Sequence, residues 1–180
     1  MKLRTLTQFY PILAVTVVVF ISGALLGGLD SVTKDMIEYQ KEQKILRVLN
    51  EIFPDMSDYA LEGDIYTIYS DGAKLGYAFL AIGKGYGGDI DILVGLEAEM
   101  TVKGIAIVSQ AETPGLGNRI IEPNFTDRFV GLDVADVAVP DEGGKVDAIT
   151  GSTISSKAVI DAVRTTAMEK VKAMTGKEVE

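Results

Sequence analysis

Four consecutive residues, Thr150-Gly151-Ser152-Thr153, place three hydroxyls directly ahead of a stretch with helical periodicity. A helix N-terminus presents unpaired backbone N–H groups and the positive end of the macrodipole, so hydroxyl donors gathered there favour an anion such as phosphate. Ser155 adds a further donor, and Gly151 permits close backbone approach and dihedrals closed to other residues. A phosphate held here gains several charge-assisted hydrogen bonds, each stronger than its neutral counterpart. The same residues also read as an ordinary N-cap, and spacing alone leaves both readings open. Upstream, Asp147 contributes a carboxylate at a turn or strand end. A tight Pro- and Gly-shaped loop, Glu112-Thr113-Pro114-Gly115-Leu116-Gly117, is a second place where backbone can approach a ligand. The glycine-rich Gly83-Lys84-Gly85-Tyr86-Gly87-Gly88 is a third, without the strand-to-helix context of a dinucleotide fingerprint.

Composition narrows the chemistry. The chain of 180 residues has no cysteine and no histidine. Disulfides, iron–sulfur ligation, thiol chemistry, imidazole bases and His-ligated metals are therefore excluded. No residue is expected to act as a catalytic nucleophile, since Thr153 has no imidazole to activate it, and no metal site is expected. A redox role then needs an organic cofactor. The formal net charge is −9, and Lys2 and Arg4 precede a long apolar run, so the remainder is more acidic still. Nucleic acid is not an expected partner, because phosphate-backbone binding needs concentrated Lys and Arg. An anionic cofactor would have to be held by local N–H and O–H donors.

The run Asp147-Ala148-Ile149-Thr150-Gly151-Ser152-Thr153 resembles the signature by which the FMN-binding-domain family carries flavin, through a phosphoester to the final Thr. Ser152 stands where that signature has Ala. Together with the two glycine-rich loops and the apolar N-terminus, the whole pattern resembles one branch of that family. Its members are the G subunits of Rnf-type ion-pumping ferredoxin:NAD oxidoreductases and the C subunits of sodium-pumping NADH:quinone reductases. The resemblance implies covalent FMN on Thr153, with Thr150, Gly151 and Ser152 around its phosphate. It implies Thr113, Gly115 and Leu116 close to the flavin. An acid at Glu112 either biases the flavin potential or anchors the loop, Tyr86 either stacks on the ring or is a core tyrosine, and Asp147 is read by the flavin transferase that installs FMN from FAD. The implied function is a membrane-anchored electron carrier in a complex that exports sodium ions or protons. The implied partners are the other Rnf subunits, membrane flavin and iron–sulfur subunits among them, the flavin transferase, and the lipid bilayer. The alternatives are the equivalent flavin subunit of a sodium-pumping NADH:quinone reductase and a non-redox scaffold module.

The elements that must position these residues read as α+β: a single N-terminal transmembrane helix, then an antiparallel-sheet FMN-binding domain with flanking helices. Thr5 to Leu29 contains no charge, and a helix of ~20 residues spans the ~30 Å hydrocarbon layer. The run is longer than a signal-peptide h-region and no small-x-small cleavage site follows it, so an uncleaved anchor is expected over residues 1–30. Gly23 and Gly27 supply a weak G-x-x-x-G for helix approach. Lys2 and Arg4 favour a cytoplasmic N-terminus, which puts the soluble domain on the outer side of the membrane.

Residues 31–54 read as a connecting amphipathic helix, with Met36, Ile37, Ile45, Leu46, Val48, Leu49, Ile52 and Phe53 on its apolar face and Pro54 ending it. The domain proper is expected over residues 55–180. Strands are predicted at 65–69, 75–82, 90–97 and 102–110, with Asp71-Gly72 turning the first hairpin. A short helix near 118–130, strands near 134–139 and 146–149, and a helix over 153–174 follow. Val159, Val163, Ala167, Val171 and Met174 mark the buried stripe of that last helix.

Overall fold

Five strands run antiparallel in chain order: β1 (Asp58–Glu62), β2 (Ile65–Ser70), β3 (Ala73–Lys84), β4 (Asp89–Glu97) and β5 (Val102–Ser109). The computed structural model describes residues 3–175, and the side chains of residues 3–11, 25–35 and 37–39 lie outside that description. A long helix α1 (Leu3–Ile52) precedes the sheet, and β5 leads into 3-10 turns and the short helix α2 (Pro123–Thr126). Helix α3 (Thr153–Thr175) closes the fold.

The period-two alternation of the strands decides what packs where. On β3, Phe79 and Ala81 turn to one face, while Ala78 turns to the other. On β4, Ile90, Ile92, Val94 and Leu96 share the first face, and Leu93 the second. The first face is covered by the stripe Val159, Val163, Ala167 and Val171 of α3, together with Ile120, Phe125 and Phe129 from the turns after β5. The predicted i, i+4 stripe is thus the buried one, with Met174 partly buried at its end. The second face takes Ile45, Val48, Leu49 and Phe53, the last apolar turns of the amphipathic stretch. Lys44 extends from that helix to donate its Nζ to the Val108 carbonyl. The sheet is therefore sandwiched between α3 and the end of α1.

Two compact units divide the chain at Met1–Gln43 and Lys44–Glu180. The first is helical throughout its described residues. In the first unit, Ile12, Leu13, Val15, Val17, Val18, Val19, Phe20 and Ile21 all expose their side chains. Among the described residues no helix is long and apolar enough to cross a membrane. The anchor expected over residues 1–30 falls partly on residues whose side chains lie outside the description, as does Gly27 of the G-x-x-x-G.

The predicted hairpin forms with Asp71 and Gly72 both at positive φ, 49° and 81°, the left-handed pair that matches strand twist. Strand β1 escapes sequence patterning because neither side is buried, so no apolar period marks it. Conversely, the strands expected near 134–139 and 146–149 do not form. Asp133 caps a 3-10 turn by accepting from the Ala135 N–H (3.0 Å), and Pro140 opens another. Val134, Val137, Val146 and Ile149 are buried, but they fasten irregular backbone to the core rather than building a ladder. Lys170 ties α3 to the β1–β2 turn through Asp64 (2.6 Å), and that hydrogen-bonded ammonium holds the Asp64 carboxyl below its usual range.

Candidate functional site

Helix α3 begins where the chain leaves the irregular segment after Val146. The Ser156 N–H donates to the Ser152 carbonyl (2.9 Å), the first intrahelical bond. Ser156 Oγ accepts from the Ile149 N–H (3.0 Å) and donates to the Ser152 carbonyl (2.9 Å), stapling the incoming loop to the first turn. Gly151 takes φ 80°, a left-handed conformation that lets the chain turn into the helix. Thr153 is the first helical residue and is exposed. Ser152 is 5% exposed, and its Oγ has no hydrogen-bond partner. The side-chain cap expected of these hydroxyls is therefore not supplied by Ser152. Its orphaned oxygen sits instead at the positive end of a 23-residue helix. Buried hydroxyls without partners are uncommon and costly, and a bound acceptor is one ordinary reason for them.

Thr153 and Ser152 lie in the wall of a cleft of about 480 Å³, with Gly151 just ahead of α3, Ile154 and Ser155 from its first turn, Glu112, Thr113, Leu116 and Gly117 from the segment after β5, and Tyr86 from the β3–β4 loop. A volume of that size is within the usual range for a small-molecule site. Three large side chains on the wall face solvent: Tyr86 is 75% exposed, Leu116 56% and Ile154 60%. One end of the cleft thus offers unpaired donors, and its sides offer apolar area for a flat ring system.

Glu112 is the charged group at the centre of this arrangement, 6% exposed. Its Oε1 accepts from the Gly87 N–H (2.8 Å), and its Oε2 accepts from Ser155 Oγ (2.6 Å). Its own N–H donates to Gln110 Oε1. The next loop holds its shape through the Thr113 carbonyl, which accepts from the N–H groups of Leu116 (3.2 Å) and Asn118 (3.3 Å). Asn118 Oδ1 also accepts from the Gly115 N–H (2.7 Å).

Of the sequence-predicted residues, the fold brings Glu112, Thr113, Leu116, Gly151, Ser152 and Thr153 together on this one cleft. Gly115 and Thr150 are exposed and outside its wall. Asp147 is also exposed and outside the wall, and its carbonyl accepts from Arg128 Nη1 (2.6 Å) while Arg128 Nε donates to the Asn124 carbonyl (2.8 Å). Sequence reading missed Arg128 as the clamp on this segment and Ile154 as an exposed apolar wall. It also missed the bond from Ser155 to Glu112, whose partners lie too far apart in the chain for any local periodicity to announce it.

Residues 85–167, which span every segment of the cleft, match the FMN-binding domain family. The chain is 32% identical to the G subunit of the ion-translocating oxidoreductase complex of Methanosarcina acetivorans, across 92% of this chain and 95% of that one. It is 34% identical to the protein of the same name from Aliivibrio fischeri, across 91% of this chain and 87% of the relative. Among solved structures, the C subunit of the Na⁺-translocating NADH-quinone reductase of Parabacteroides distasonis superimposes with a TM-score of 0.54 at 27% identity, the match spanning 63% of each chain. The chain belongs to the family of ion-translocating oxidoreductase complex G subunits, and the cleft lies in its FMN-binding domain.

Proposed function

We propose that this chain is the membrane-anchored electron-transfer component of an Rnf-type ferredoxin:NAD oxidoreductase, carrying FMN esterified through its phosphate to Thr153. The observation that carries the proposal is the start of α3. An exposed Thr153 hydroxyl adjoins a buried Ser152 Oγ without a partner, both on one cleft and both at the positive helix end. A phosphate there satisfies the orphan and draws on the first-turn N–H groups in a chain whose net charge otherwise opposes an anion. Bound FMN supplies electron transfer in single or paired steps, which none of the side chains of a Cys- and His-free protein supplies. The chain's residues do the rest. Thr153 would carry the phosphate, with Ser152 as a buried donor and Thr150 just outside the cleft wall, and Tyr86, Leu116 and Ile154 would offer apolar wall and exclude water. Thr113 and Leu116 on the cleft wall, with Gly115 beside them in the same loop, would adjoin the bound cofactor.

Attachment needs a separate enzyme, because nothing in the cleft activates the Thr153 hydroxyl. A flavin transferase that splits FAD forms the phosphoester and releases AMP and the hydroxyl proton. Asp147 is exposed where such an enzyme can read it, on a segment clamped through its backbone by Arg128. Asp147→Ala is expected to lower flavin occupancy several-fold when transferase is limiting, with thermal stability unchanged within about 0.5 kcal/mol, as for other exposed positions. Full occupancy at limiting transferase would assign Asp147 a purely structural place.

The anchor is residues 1–30, with the N-terminus cytoplasmic and residues 31–180 on the outer side of the membrane. Exposed apolar side chains from Ile12 to Ile21, in a helix with no charge between Thr5 and Leu29, support it. Protease added to intact spheroplasts is expected to remove the domain and leave a short membrane fragment. Digestion confined to inverted vesicles would reverse the orientation.

One flavin outside the cytoplasm cannot itself oxidise ferredoxin and reduce NAD, so electrons arrive from and leave to other subunits of the complex. The test is a complex containing Thr153→Ala. It should assemble normally yet pass no electrons from ferredoxin to NAD. Undiminished electron transfer would instead make the chain a scaffold.

A further inference from the structure

We propose that Glu112 is a positioning residue: its buried carboxylate clasps the Tyr86 loop and the Thr113–Gly117 loop onto the first turn of α3, setting the shape of the cleft before any cofactor arrives. The inference rests on the cleft being the FMN site only for what the clasp is used for. The clasp itself is a property of the chain. One carboxylate reaches three separate segments. Oε1 holds the Gly87 N–H and Oε2 holds Ser155 Oγ, while Glu112 itself opens the loop that carries Thr113, Leu116 and Gly117.

The surrounding glycines are explained by the same group. A Cβ at Gly85 would collide with Glu112 Oε1, and one at Gly117 would collide with Oε2 and lie 2.8 Å from Ser155 Oγ. At Gly87, a Cβ would collide with the Ala111 carbonyl oxygen, in the peptide leading into Glu112. Both glycine-rich loops are therefore stripped of side chains where they close around this carboxylate. That gives Gly85 and Gly87 a purpose that neither a phosphate cradle nor a simple turn provides. It brings backbone against Glu112 and leaves Tyr86 standing at the cleft wall.

A buried carboxylate accepting two hydrogen bonds is costly to remove, because its donors are left unsatisfied. The isosteric amide is different. Gln can accept from the Gly87 N–H through its oxygen and donate to Ser155 Oγ through its nitrogen, since a hydroxyl both donates and accepts.

The test uses the full chain produced without flavin transferase, with amide exchange read at Gly87. Glu112→Ala should speed exchange at Gly87 by roughly ten- to a hundred-fold, the loss expected for a hydrogen bond to a charged group, with the β4 amides of Ile92 and Val94 unchanged. Glu112→Gln should restore most of the protection. Should Glu112→Ala also expose β4, Gly117→Ala gives the second reading, because its Cβ displaces the carboxylate and should speed Gly87 exchange in the same way. In the flavin-loaded full chain, the visible circular dichroism of the flavin should change in Glu112→Ala and return towards wild type in Glu112→Gln. Wild-type protection of Gly87 in both Glu112→Ala and Gly117→Ala, or an unaltered flavin signal in Glu112→Ala, overturns the proposal. A wild-type chain with no flavin adduct by mass would defeat the cofactor assignment alone, and the exchange at Gly87 would still decide the clasp.

Discussion

Thr153→Ala is expected to leave no FMN on the polypeptide after denaturation, while Ser152→Ala retains it. The two hydroxyls are neighbours in sequence, but the fold treats them oppositely. Thr153 is exposed at the mouth of the cleft, where a transferase can reach it, and Ser152 is packed inside. The loss in Thr153→Ala should be complete and should not follow from unfolding. An exposed side chain at a first helical position contributes within about 0.5 kcal/mol to stability. Ser152→Ala should behave in a more telling way. Removing a buried hydroxyl that lacks a partner should leave the flavin-free chain as stable or more stable, by up to about 1–3 kcal/mol, the cost of an unsatisfied buried group. Mass analysis of both variants, with thermal melts of each before flavin attachment, checks the pair. Flavin retained in Thr153→Ala, with the adduct moved to Ser152, would reverse the assignment.

Phe79→Ala is expected to destabilise the domain by about 3–5 kcal/mol, as for other large-to-small changes at fully buried aromatics. Phe79 is completely buried on β3, in register with Val94 of β4, on the sheet face covered by α3. Against a typical total of about 5–15 kcal/mol, the loss removes a large part of the stability. Because α3 holds Thr153 and Ser155, loosening its seat on the sheet should also lower flavin occupancy in the cell. Chemical denaturation of the flavin-free chain measures the first effect. A change below about 1 kcal/mol would mean that this face of the sheet is not the main core.

The sheet was largely legible in the sequence because its middle strands carry continuous apolar runs, buried on both faces and bounded by turn residues. Val159, Val163, Ala167 and Val171 likewise announce a helix face at i, i+4 spacing. Elsewhere the sequence is silent or misleading. β1 has two exposed sides and no period. Val134, Val137, Val146 and Ile149 carry strand-like residues into the core on 3-10 and irregular backbone, where Asp133 and Pro140 override propensity.

The site divides the same way. Thr150 to Thr153 can be read locally, since helix-start chemistry is short-range. The pairing of Glu112 with Gly87 and Ser155 cannot, because it joins three segments that only the folded sheet brings together. Sequence left open whether Glu112 anchors a loop, and its two hydrogen bonds and the glycines packed against it now support that role. Tyr86 is similarly undetermined in sequence, where a core tyrosine was as reasonable as a wall of the site. Its high exposure on the cleft excludes the core.

The most direct measurement is peptide mass mapping of the purified wild-type chain after denaturation and digestion. The segment from Thr150 to Ser156 should carry the mass of FMN less one water, with fragmentation placing the adduct on Thr153. An unmodified segment from a chain matured alongside its transferase, or an adduct localised to Ser152 or another residue, would contradict covalent attachment at Thr153.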